Sequence, residues 1–209
     1  MSVSLYLYQT YDIKNRLMPK IVDHVQYRKE LLMKSFDLFA QKGYSSITMR
    51  QMAQGLGVST GTLYHYFPSK EALFVQLVEE LEQQNVLKFL ESAGNPPTLS
   101  ERMKDLFTFV AKNEDYILKQ ILLWIDFCQQ HWTDVSTKER LRQADEQTIN
   151  AIADYLQIQD SSTFDFVMNF IYGLFLRRLF ADETISYAKQ GALLTKMLTA
   201  YQGIGNSNP

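Results

Sequence analysis

An all-α protein is what this sequence predicts, with a three-helix helix-turn-helix domain followed by a larger helical body. Three observations point there. Only five prolines and nine glycines punctuate 209 residues. No run of strict apolar/polar alternation lasts long enough to read as a sheet. Apolar stripes at helical spacing follow one another behind Ser and Thr residues placed to cap them.

The first helix is expected from about Tyr27 to Lys42, with Leu32, Phe36 and Phe39 at i, i+4 and i+7 and Gly43 as its stop. Thr48-Met49-Arg50-Gln51 is a capping box, so a short second helix starts there and ends at the Gly55-Leu56-Gly57 break. Ser59 caps a third through Tyr64 or His65, and Gly57 stands where the turn needs positive φ. Met52, Ala53, Leu56, Val58 and Leu63 supply the inner faces of this helix-turn-helix, and Phe67 packs inward. Pro68 closes the unit. Ser69 opens a long helix toward Leu90, and Gly94-Asn95-Pro96-Pro97 ends it. A second capping box, Thr98 to Glu101, starts a helix to Lys112, and further helices follow over 115–132, 137–156, 163–181 and 185–202. Residues 1–17 match no template, and 205–209 read as a frayed tail.

Composition narrows the function. One cysteine, Cys128, cannot form an internal disulfide, and no apolar run approaches the roughly 18 residues of a membrane span. The amino terminus carries no export signal, so a cytoplasmic protein is expected. The net charge of −2 conceals an uneven distribution. Residues 18–70 hold seven Lys/Arg against three acids, whereas residues 71–209 hold twelve against nineteen. The early segment is suited to a polyanion and the remainder to something else.

A helix that reads the major groove must approach phosphates closely and show short polar side chains to base edges. Ser59, Thr60, Gly61 and Thr62 meet those demands, since Gly61 lets the backbone approach sugar-phosphate without a Cβ in the way. Arg50 is placed to reach a phosphate or a guanine. Tyr64, His65, Tyr66 and Lys70 gather aromatic and basic donors where the helix exits. Taken singly, each residue has a plain reading: Thr48 and Ser59 as caps, Gly61 as a packing approach, and His65 as an ordinary surface histidine.

Together, the capping box, Ala53, the glycine turn and the string from Gly61 to Phe74 resemble the TetR family of one-component bacterial transcriptional regulators. The resemblance runs from about Met18 to Leu81 and includes Leu38-Phe39-Ala40-Gln41-Lys42-Gly43-Tyr44. It places the DNA-binding domain at 18–80, with its motif at 48–67, and a helical effector-binding and dimerisation domain at 81–204. Residues 1–17 become an unusual extension, with Met1 or Met18 as the start. It implies that Thr48, Arg50, Ser59, Thr60, Thr62, Tyr64, His65, Tyr66 and Lys70 touch operator DNA, with Thr60 standing where a basic residue is frequent. It also implies a nucleoid-associated homodimer, released from a palindromic operator when a small-molecule effector shifts the helix from Ser69 to Leu90.

The body agrees by its own pattern. Phe166, Phe170, Gly173 and Leu174 form one stripe and Leu194, Met197, Leu198 and Tyr201 another, suited to pairing with symmetry mates or to an internal core. For an effector cavity the sequence offers Phe107, Trp124, Phe127, Cys128, Met168 and Tyr172, walls for an apolar or planar molecule. Catalysis finds little support, and no cofactor or metal is expected. His24, His65 and His131 fall in different elements with no metal-ligand spacing, and no phosphate-cradling Gly-x-x-x-x-Gly-Lys occurs. The competing readings are a general DNA-binding protein, which would be basic throughout, and a small-molecule enzyme.

Overall fold

The computed structural model describes residues 23–131, 133–181 and 185–205. The expectations made for residues 1–22, for Trp132 and for residues 206–209 lie outside them. The described residues are helical throughout: α1 His24–Lys42, α2 Met49–Leu56, α3 Thr60–Tyr66, α4 Lys70–Ser92, α5 Leu99–Lys112, α6 Glu114–Gln130, α7 Val135–Leu156, α8 Ser161–Ala181 and α9 Tyr187–Gly205.

Side-chain caps set most of the starts. Asp23 accepts from the backbone N–H groups of Val25 and Gln26 at 3.0 and 3.1 Å, so α1 begins three residues before the apolar stripe does. Both arms of the Thr48/Gln51 box are made, at 3.3 and 2.9 Å. Ser59 and Ser69 accept from the backbone of Thr62 and Ala72. The Thr98/Glu101 box opens α5. Asp134 takes the N–H groups of Ser136 and Thr137, which moves the start of α7 to Val135 rather than Thr137. Gly57 ends α2 at φ 70°, the left-handed conformation that a side chain resists.

Gly55 departs from its expected role. It does not break α2 but lies inside it, and a Cβ there would sit 2.7 Å from the Leu38 side chain. The glycine is needed for the close approach of α1 and α2. A tighter approach occurs at Gly191 of α9, where a Cβ would lie 2.5 Å from the Phe107 ring of α5.

Two apolar cores result. The first joins Leu32, Phe36, Phe39, Met52, Leu63, Phe67 and Phe74 of α1 to α4 to Leu123 and Phe127 of α6 and Leu141 of α7. The second gathers Phe89, Met103, Phe107, Leu156, Val167, Ile171, Phe175, Leu194 and Leu198. Helix α4 runs through residue 80 without a break and contributes to both. Head and body therefore share a helix and part of a core.

The stripes expected at a dimer interface divide in two. Leu174, Leu194 and Leu198 are buried inside the chain, and half-buried Phe170 packs against the body core near Phe107. Phe166, Gly173, Met197 and Tyr201 are exposed, as are Leu176, Phe180 and Leu193, which the pattern did not single out. A helix with core on one side and an apolar outer face on the other shows two hydrophobic faces, and spacing does not assign residues between them.

Candidate DNA-binding head and effector cavity

Helices α2 and α3 meet across the Gly57 turn over Met52, Ala53 and Leu63, each at most 1 % exposed. That packing turns the polar side of the motif outward. Arg50, Ser59, Gly61, Tyr64 and His65 are exposed, while Thr60 and Thr62 are half-buried. The Thr62 hydroxyl lies 2.8 Å from that of Ser59, so one pair of oxygens serves both as cap and as surface polar group. A Cβ on Gly61 would meet nothing closer than the Ser59 hydroxyl oxygen at 3.8 Å. Nothing in the fold requires a glycine there.

Two residues placed on the exposed row by the sequence are engaged within the head. The Tyr66 hydroxyl lies 2.7 Å from His24 Nδ1, and its ring meets Tyr27 edge-on. His24 and His65, 41 positions apart, bring their rings to 6.5 Å beside it. Lys70 donates to the Tyr44 carbonyl oxygen at 2.8 Å and lies 4.2 Å from the centre of the Tyr44 ring. Burial pushes its pKa below the ordinary lysine range, with Asp126 opposing. The ammonium thus ties α4 to the loop before α2.

That loop is also gripped from the body. Asp126 of α6 accepts from the Ser45 N–H at 3.2 Å and from the Ser45 hydroxyl, and Gln130 donates to the same hydroxyl. Phe127 stacks on Phe74 and His131 and meets Tyr44 edge-on. Burial, with Glu71 and Asp126 nearby, holds the Tyr44 phenol neutral, its pKa pushed up to about 12. Phe127 is therefore a hinge-point core residue and not a cavity wall, and Cys128 packs beside the same core. Phe107 faces Gly191 instead. These three corrections share a cause: an apolar side chain on an amphipathic helix faces inward whichever of several apolar neighbours it meets.

Glu71, His131 and Asp134 bring ligand-type atoms within 4.8 Å of one another at this junction. The Thr137 hydroxyl lies 2.5 Å from Glu71 Oε1 and 2.7 Å from Asp134 Oδ2, and Tyr44 meets His131 Nε2 at 3.1 Å. The cluster is a hydrogen-bonded joint between α4, the loop before α2 and the start of α7.

Below the head, α4 to α8 line a partly open cavity of about 120 Å³. Trp124, Met168 and Tyr172 line it as the sequence suggested, along with apolar residues such as Leu81, Phe109, Ile121 and Phe175. Its polar features are Glu82 and Asn85 of α4, Gln120 of α6 and Thr148 of α7. Thr148 donates to Glu82 at 3.0 Å, and Asn85 donates to Gln120 Oε1 at 2.8 Å. Burial pushes the Glu82 carboxyl up to about 7, opposed by the Thr148 bond and reinforced by Asp145. Burial likewise raises Tyr172, with Asp145 and Glu82 adding to the effect. Glu82 escaped the sequence reading because it sits among Glu79, Glu80 and Gln83, a run that looks solvated. Its signal is its spacing, four residues after Val78 and seven before Phe89, inside the apolar stripe of α4.

Residues 18–77 match the family described as bacterial regulatory proteins, tetR family. The helix-turn-helix head is thus similar to that of the tetR family. Among curated relatives, the HTH-type transcriptional repressor KstR2 of Mycobacterium tuberculosis is 26% identical over 113 residues, covering 54% of this chain and 56% of that protein. The matched segment spans 33% to 56% of the length of such relatives. Solved structures share the helical fold over most of the chain. A transcriptional regulator from Pseudomonas aeruginosa PAO1 aligns with TM-score 0.68 at 12% identity, covering 88% of this chain and 93% of its own. FadR of Bacillus subtilis, solved in complex with stearoyl-CoA, aligns with TM-score 0.62 at 16% identity, covering 82% and 97%. Among the described residues no helix is long and apolar enough to cross a membrane.

Proposed function

We propose that this protein is a homodimeric transcriptional repressor whose α3 helices enter successive major grooves of a palindromic operator and which a small apolar effector releases. The observation that carries the reading is the exposed row Arg50, Ser59, Gly61, Tyr64 and His65, with Thr60 and Thr62 beside it, mounted on a motif packed inward through Met52, Ala53 and Leu63. Such a row gives phosphate-positioning donors at its margins and hydroxyls at its centre. The two reading heads need a separation of about 34–36 Å, one helical turn of DNA. Selection from a random duplex pool is expected to return inverted repeats with that spacing. Equal affinity for selected and unrelated duplexes at each salt concentration would leave only general DNA binding.

Gly61 offers a sharp discrimination. Because its Cβ position is open, Gly61→Ala is expected to stabilise the fold by about 0.5–1 kcal/mol through helix propensity. The same methyl group would stand between the helix and the sugar-phosphate, so operator affinity is expected to fall while melting temperature rises. A variant that keeps full affinity removes Gly61 from the interface.

The exposed face formed by Phe166, Gly173, Leu176 and Phe180 of α8 with Leu193, Met197 and Tyr201 of α9 is assigned to the second subunit. Pairing these two helices with their copies would cover apolar surface otherwise left wet. Gly173 has open space around its Cβ position, so Gly173→Glu is expected to leave the monomer folded, abolish dimers in sedimentation and lose operator binding. A surviving dimer moves the interface elsewhere.

The cavity supports release by an effector, as does likeness of fold to a regulator solved with stearoyl-CoA. Helix α6 carries Gln120 and Trp124 in the cavity wall and Asp126, Phe127 and Gln130 against the head. A ligand that favours one setting of α4 and α6 therefore favours one setting of the head, and operator weakens effector binding by the same factor.

A further inference from the structure

The polar atoms of the cavity say which chemistry it admits. One buried N–H donor, Trp124 Nε1, has no hydrogen-bond partner. The Gln120 amide is engaged, accepting from Asn85 through its oxygen and bonding the Tyr116 phenol. Gln120 and Trp124 stand one helical turn apart on α6, and both residues line the cavity. A buried donor without an acceptor is rare in folded proteins, and a ligand oxygen would satisfy this one.

Charge decides what kind of oxygen. Among the described residues Glu82 is the one acid in the lining, and no Lys, Arg or His of that set lines the cavity. Asp145 of α7 and Tyr172 of α8 face Glu82 and, like it, are held toward their neutral forms by burial. A carboxylate entering here would find a second carboxyl in a low-dielectric wall and no cation to offset either. A cationic ligand would suit Glu82 but leave the Trp124 donor unpaired, and the Thr148 hydroxyl already serves that carboxyl. The volume adds a size, since an apolar cavity of about 150 Å³ is known to hold a benzene ring.

We propose that the cavity binds a small uncharged apolar molecule, of the size of a substituted single ring, whose carbonyl or hydroxyl oxygen accepts from Trp124, and that Glu82 excludes carboxylates. This rests on the cavity being the effector site. Calorimetry on the full chain at about pH 8, where Glu82 is mostly ionised, compares four probes of one size: acetophenone, ethylbenzene, benzoate and benzylamine. Acetophenone is expected to bind about tenfold or more tightly than benzoate or benzylamine, and several-fold more tightly than ethylbenzene. Glu82→Gln, which keeps the acceptor for Thr148, is expected to raise benzoate affinity about tenfold and leave acetophenone within about twofold. Trp124→Phe, which keeps a ring and removes the N–H, is expected to bring acetophenone toward ethylbenzene.

Equal binding of benzoate and acetophenone overturns the proposal, as does a preference for benzylamine, an unchanged benzoate affinity in Glu82→Gln, or no binding by any of the four. Operator affinity is measured separately with acetophenone present. If acetophenone binds and operator affinity stays constant, the ligand class stands and the effector reading falls.

Discussion

Phe127→Ala is expected to cost about 3–5 kcal/mol of stability, the range for emptying a buried aromatic site. The side chain is 1 % exposed, and its ring lies 4.4 Å from that of Phe74, 4.7 Å from Tyr44 and 4.3 Å from His131. It is the place where α6 enters the core of the DNA-binding head. Chemical denaturation measures the loss, and a cost under about 1 kcal/mol would mean that the junction is not packed as described. Ligand binding supplies the second readout. Phe127 does not line the cavity, so below the melting transition the variant is expected to bind a cavity ligand as the parent does while operator affinity drops. The reverse pattern would restore Phe127 to the cavity wall.

Glu82→Gln carries the second large effect, and it depends on pH. Burial raises the Glu82 carboxyl from 4.5 to about 7 in the folded chain. Between those values the folded protein holds a proton that the unfolded chain has released, so stability falls as pH rises through that window and levels off above it. The full loss is about 3 kcal/mol. Glutamine preserves the shape and the bond from Thr148 without the ionisation. The variant is therefore expected to match the parent near pH 4.5 and to exceed it by up to that amount at pH 8. Its urea midpoint should vary less with pH across the interval. Asp145, raised by burial as well, leaves a residual slope in both proteins. Parallel curves for parent and variant would show that Glu82 is solvated.

Much of the head was legible because its information is local. A cap lies within three residues of the N–H it satisfies, so Thr48, Ser59, Ser69 and Thr98 announce four helix starts without reference to the rest of the chain. Gly57 announces the turn for the same reason. The partner of a side chain across the fold is not local. Lys70 reads locally as a phosphate contact, and its bond to Tyr44, 26 positions away, is invisible at that range. Asp23 and Asp134 were overlooked as caps because the apolar stripes they precede begin only a few residues later.

The cavity was the least legible part. Trp124 and Cys128 are four residues apart on α6 and both pack against the head core, yet only Trp124 also lines the cavity. Periodicity places both on an apolar side and is silent on which apolar neighbour each meets. Glu82 illustrates the converse: a charged residue inside an apolar stripe marks a polar point in a buried wall, and Val78, Leu81 and Phe89 around it were the clue. Leu194 and Met197 likewise differ by three positions on α9, one in the core and one outside.

Because Asp126 and Gln130 hold Ser45 while Phe127 fills the space beneath Tyr44, a chimera that joins residues 23–92 to a different sensor will inherit an unmated socket. Transplanting the stretch from Gln120 to His131 with it restores the plug. Sensor swapping in this architecture is thus a matter of cutting after α6 and not after α4.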